Sequence, residues 1–104
     1  MDRALALVEK FQPYAVHRLG TCYFCRRTAL EIIDKCEEMS LHIHGIDGYF
    51  LTDQTTHQPI EWIFDMSKCP SDYDAARKFI ESGAALPLFY EFFLRDQNSN
   101  TQLR

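Results

Sequence analysis

Four cysteines stand out among the side chains of this 104-residue chain as able to do covalent chemistry. Cys22 and Cys25 form a Cys-Tyr-Phe-Cys step after Gly20. If Thr21 caps a helix, both thiols sit at its N-terminus, where thiolate is stabilised and a nearby second thiol can resolve a mixed disulfide. That spacing suits a thiol–disulfide enzyme with Cys22 as nucleophile and Cys25 as resolving thiol. The same residues also have a structural reading. On a helix running from 21 to 39, Cys22, Cys25, Ala29, Ile32 and Cys36 recur at steps of 3 and 4 residues. They form one apolar seam, in which a free cysteine acts as a small hydrophobe. A zinc site would draw on His17, Cys22, Cys25 and Cys36, but no second close pair answers the first. His42 and His44 alternate along a strand with no carboxylate spaced to complete a metal set. The four glycines are scattered singly, so there is no phosphate-binding loop. No metal or cofactor is implied.

The acidic residues carry a different chemistry. Residues 1–28 hold a net charge of +3 and residues 29–96 a net charge of −8, within a total of −4. This balance argues against nucleic acid as the main partner. On the expected central helix Glu31, Asp34 and Glu38 share one face at i, i+3 and i+7. Asp47 and Tyr49 lie at a bend over Gly45–Tyr49. Together these five residues predict a docking surface for a basic protein partner, built by charge steering and matched pairs. Tyr49, Trp62 and Tyr73 are the aromatic residues expected to anchor such an interface.

The elements that must position these residues follow from periodicity. Ala4, Leu7, Val8 and Phe11 predict a helix over 2–12, capped by Asp2 and stopped by Pro13. Residues 14–19 read as a short strand or connector punctuated by Gly20. The central helix over 21–39 follows, although Thr28 with Glu31 forms an alternative capping box. Leu41–Leu51 predicts a strand with a bulge or bend near Gly45 to Gly48. Residues 60–65 predict its antiparallel partner. Ser71 with Asp74 predicts the cap of a last helix ending at Gly83. Leu88–Leu94 is apolar on both faces apart from Glu91, as in a strand inside a sheet. The order is α–(β)–α–β–β–α–β, an α+β fold with two or three helices on one face of a mostly antiparallel sheet of three to four strands. One domain over 1–95 and a polar tail over 96–104 account for the length.

The longest apolar run, Ala84 to Tyr90, has seven residues and contains Pro87, against about 20 for a membrane span. No secretory signal is evident, so a cytoplasmic location is expected. Two resemblances can be stated. Cys22-x-x-Cys25, with Leu86-Pro87 before a later strand, resembles thioredoxin- and glutaredoxin-like proteins; this implies the dithiol enzyme described above. The run Ala29-Leu30-x-Ile32-Ile33, Ile43-His44-Gly45-Ile46-Asp47-Gly48-Tyr49-Phe50, Trp62-Ile63-Phe64-Asp65 and Tyr73-Asp74-x-Ala76-x-x-Phe79-Ile80 resembles small immunity proteins of bacterial polymorphic-toxin systems. It covers about residues 28–82 and implies a non-catalytic protein that neutralises a toxin by binding it. A structural subunit or homodimer built through an unpaired sheet edge is the third reading.

Overall fold

The computed structural model describes residues 2–53 and 55–96. It has helices α1 (Arg3–Phe11), α2 (Arg26–Met39) and α3 (Tyr73–Ser82). Its strands are β1 (Val16–Arg18), β2 (Thr21–Cys25), β3 (His42–Leu51), β4 (Thr56–His57), β5 (Ile63–Asp65) and β6 (Leu88–Arg95). The architecture is a single α+β domain. The sheet has six strands rather than three to four, in the order β1-β2-β6-β3-β4, with β5 also paired to β3. Every pairing is antiparallel. None of its helices is long and apolar enough to cross a membrane.

The largest departure from the sequence reading lies at residues 21–25. They form a strand, and α2 begins only at Arg26. The cause is the turn before them: Leu19 at φ 49° and Gly20 at φ 82° are both left-handed. Two consecutive left-handed residues make the tight turn that matches strand twist, so the chain folds back as a hairpin. The β-branched and aromatic residues Thr21, Tyr23 and Phe24 then favour the pleated strand. The predicted seam is therefore broken. Ala29, Ile32 and Cys36 are buried on α2, but Cys22 and Cys25 belong to β2.

The other helix ends show smaller shifts. Asp2 caps α1 as expected, accepting from the Ala4 amide at 2.9 Å and the Leu5 amide at 3.4 Å. Asp72, not Ser71, caps α3 and accepts from the Ala75 amide at 3.0 Å. Gly83 ends α3 with φ −97°, so left-handed freedom is not its role. A Cβ there would lie 2.7 Å from Tyr90 Oη and 2.8 Å from Leu88 Cδ1. The glycine lets the helix end close on β6.

One core joins the helices to one sheet face. Leu7 and Phe11 of α1, Ile32, Ile33 and Cys36 of α2, and Ala76 and Ile80 of α3 pack with Phe24, Ile46, Leu88 and Tyr90. Alternation along β6 sends Leu88, Tyr90, Phe92 and Leu94 to this side and Phe89, Glu91 and Phe93 to the other. β3 keeps pace with β6 except for a bulge between Ile43 and Gly45. The irregularity comes slightly before the predicted bend.

The domain extends to Asp96, the first residue of the predicted tail. Its carboxylate is buried and accepts from the Arg3 amide at 3.0 Å and from the Arg3 guanidinium at 3.2 Å through both oxygens. The rest of the predicted tail lies outside the described residues.

Candidate functional site

The five predicted binding residues divide between opposite sides of the molecule. Glu31, Asp34 and Glu38 lie exposed on α2, in the helical layer. Asp47 and Tyr49 lie on β3 and point to the sheet face away from the core, since Ile46 and Gly48 take the alternate positions.

On the helical side the acids are largely satisfied. Arg77 of α3 reaches Asp34 through Nε at 3.1 Å and Nη2 at 2.9 Å. It also bonds Glu37, and donates to Asp74 at 3.0 Å. The Glu37 and Asp34 hydrogen bonds hold this guanidinium still more firmly in its charged form. Glu38 pairs with Lys35 at 3.2 Å. Of the acidic face that periodicity marks, Asp34 joins Glu37 and Asp74 in an ion-pair network that ties α3 to α2, Glu38 pairs within α2, and Glu31 takes part in no ion pair among the described residues.

The sheet side is arranged differently. Register places Asp47 directly opposite Glu91. Cross-strand partners on one face have Cβ atoms about 5 Å apart, so both side chains belong to one patch. Neither carboxylate has an ion-pair partner among the described residues. Burial raises the Asp47 pKa above the usual carboxylate range, with a Gln58 hydrogen bond working the other way. Tyr49 donates its hydroxyl to Glu91 Oε1 at 2.9 Å. Burial, followed by that bond to Glu91, drives the Tyr49 phenol pKa well above its ordinary value, so it stays a neutral donor. Tyr23 meets Tyr49 edge-on, with ring centroids 4.9 Å apart and an interplanar angle of 74°.

The sheet is also curled around this face. Arg18, at the β1 edge, donates to the Thr55 carbonyl at 2.7 Å, to the Thr56 hydroxyl at 3.3 Å and to the Thr52 carbonyl. These bonds draw the β1–β2 hairpin toward the β3–β4 turn. The result is a shallow, acidic surface floored by tyrosines and edged by the exposed apolar residues Ile63 and Phe93. Glu91 is the member that the sequence reading left unassigned. Its signal was present: it is the one charged side chain within Leu88–Leu94. Of the other predicted anchors, Trp62 packs on Phe79 with centroids 5.6 Å apart, and Tyr73 donates to the Leu41 carbonyl at 2.7 Å. Both are half-buried and packed against the core.

The thiols are dispersed. Cys22 and Cys25 are three residues apart on an extended strand, so their side chains leave opposite faces. Strand rise separates their Cα atoms by about 10 Å, beyond the span of about 4.4–6.8 Å that a disulfide bridges. The dithiol pairing drawn from a helical placement is therefore corrected by the strand. Cys25 occupies the N-cap position of α2 and is exposed. Burial raises its pKa, but hydrogen bonds from Thr28 and neighbouring amides outweigh that and lower it. Cys36 is buried, and burial pushes its thiol up to about 12. Cys69 is exposed. The two strand histidines have ring centroids 6.2 Å apart, and His44 Nε2 is buried without a hydrogen-bond partner among the described residues. No group of three potential metal-ligating side chains comes together there either.

The fold and this surface together define a small α+β protein with one helix-covered sheet face and one open, acidic sheet face. No protein-family model, curated protein or solved structure matches the chain.

Proposed function

We propose that this protein acts by binding a basic protein partner on the open sheet face, through Asp47, Glu91, Tyr49 and Tyr23. The observation that carries this reading is the cross-strand pair Asp47–Glu91, two carboxylates held opposite each other without a cation. Two carboxylates on one face with no cation beside them offer a guanidinium or ammonium two charged acceptors at once. The half-buried Tyr49 ring adds apolar area and a cation–π surface, and the buried Tyr23 ring packs edge-on behind it. Tyr49 fixes the Glu91 carboxylate in advance, so little ordering is needed on association. Asp47 and Tyr49 also fall within the stretch that resembles toxin-neutralising immunity proteins, and inhibition by binding is the role that this resemblance would assign.

The test is a titration of the isotopically labelled protein with a synthetic arginine-rich peptide, followed by amide chemical shifts. Shifts should concentrate at residues 23, 47, 49 and 91 and disappear in Glu91→Lys. Shifts confined to α2 and α3, or none at all, would reject the reading.

A further inference from the structure

The β1–β2 hairpin brings together a thiol and an imidazole that lie outside the binding face. The tight turn at Leu19-Gly20 sets the register so that His17 stands directly across from Cys22. Cys22 Sγ lies 3.6 Å from His17 Nδ1. On the far side of the ring, His17 Nε2 is 3.0 Å from the Gln12 carbonyl oxygen. A carbonyl only accepts, so Nε2 must carry a hydrogen. In the neutral ring Nδ1 is then the bare acceptor, aimed at the thiol. The Gln12 carbonyl is itself held by a short helical turn, Gln12–Tyr14, and also accepts the Ala15 amide at 3.0 Å. Nucleophile, base and orienting acceptor are thus aligned, the arrangement by which a weak nucleophile is activated. Cys22 is half-buried rather than sealed in the core.

We propose that Cys22, with His17 as its base, is a nucleophilic thiol that forms mixed disulfides with small disulfides of the oxidised-glutathione class. His17 Nδ1 takes the thiol proton. Cys22 Sγ attacks one sulfur of the disulfide, the S–S bond breaks, and the other sulfur leaves as a thiolate that takes the proton from the imidazolium. One S–S bond forms and one breaks; Cys22 is oxidised as the departing sulfur is reduced. Cys25 lies on the opposite face of β2 and cannot resolve the adduct, so the product is a standing modification rather than an enzymatic intermediate. This inference is independent of the binding reading.

The remaining cysteines are internal controls. Cys36 is buried, Cys69 has no imidazole hydrogen-bonded to it among the described residues, and Cys25 bonds Thr28 Oγ1 at 3.5 Å instead. The experiment incubates native protein with oxidised glutathione and resolves each cysteine by peptide mass spectrometry across pH. At neutral pH Cys22 should react faster than Cys69, and His17→Gln should slow Cys22 by about tenfold while Cys25 and Cys69 keep their rates. The variant's Cys22 rate should recover as pH rises through the ordinary thiol range near about 8.5. A Cys22 no faster than Cys69, or a rate and pH profile indifferent to His17→Gln, overturns the proposal. Should the variant unfold, reported by Cys36 becoming reactive, the wild-type profile decides. A Cys22 rate that climbs only through the ordinary thiol range overturns the proposal, and one already high near neutrality supports it.

Discussion

Two acidic regions of this molecule have opposite electrostatic fates. On the helical side, Asp34, Glu37 and Asp74 surround a single guanidinium, Arg77, which ties all three into one ion-pair network. On the open sheet face, Asp47 and Glu91 confront each other with only neutral donors, Gln58 and Tyr49, beside them. The helical cluster looks richer in the sequence, yet it works as a clamp. The strand pair looks incidental, yet neither of its carboxylates has an ion-pair partner among the described residues. A count of acids says little about binding until the cations are placed.

The comparison can be broken most sharply through binding. Glu91→Lys should weaken association with an arginine-rich peptide by about 2–5 kcal/mol, measured by calorimetry, because it removes one carboxylate and repels the ligand from the other. The same reversal at Glu38 should leave affinity unchanged. Equal losses at both positions would dissolve the distinction.

Next in size is the clamp itself. Arg77→Met should cost about 1–2 kcal/mol in chemical denaturation, since three partly exposed ion pairs are lost together and their carboxylates are left to repel. Peptide affinity should not change.

Asp47→Asn should do the reverse and stabilise the free protein at neutral pH by under about 1 kcal/mol, after allowance for solvent screening. The sign follows from its raised pKa in the folded state. The folded form holds the proton more tightly than the unfolded form, so stability falls as pH rises above the ordinary carboxylate value. Below that value both states are protonated and the difference vanishes. Thermal melts of both proteins across this window should therefore converge at low pH. The variant should bind the peptide more weakly even though it is more stable, as expected where function is held at the expense of stability.

The smallest effect belongs to Glu31, which is exposed beside Tyr14 and Arg27. Glu31→Gln should shift stability by less than about 0.5 kcal/mol and leave peptide binding intact. A marked loss of binding would return the interface to α2.

Much of the architecture was legible before the structure. The helix over 2–12 with its Asp2 cap, the long strand near 41–51 and the internal strand over 88–94 all carry strong local signals. The segment 21–25 did not, because Thr-Cys-Tyr-Phe-Cys fits a 3-and-4 spacing as readily as an extended run. The deciding residue was Leu19, whose left-handed turn has no reliable local signature in a leucine. Once that turn forms, Cys22 leaves the helix and meets His17 instead. The candidate surface was half legible: Asp47 and Tyr49 were singled out, and Glu91 was noticed only as an exception in an apolar strand.

The sequence by itself determined what neighbours along the chain control: helix caps, hydrophobic periodicity, the α+β class and the skew of charge toward residues 29–96. Tertiary structure alone decided which charges remain available. Arg77 lies 43 residues from Asp34, and Glu91 lies 42 from the Tyr49 that holds it. Pairings at that separation depend on helix packing and strand register, and a shift of one residue would send every side chain of the strand to the other face.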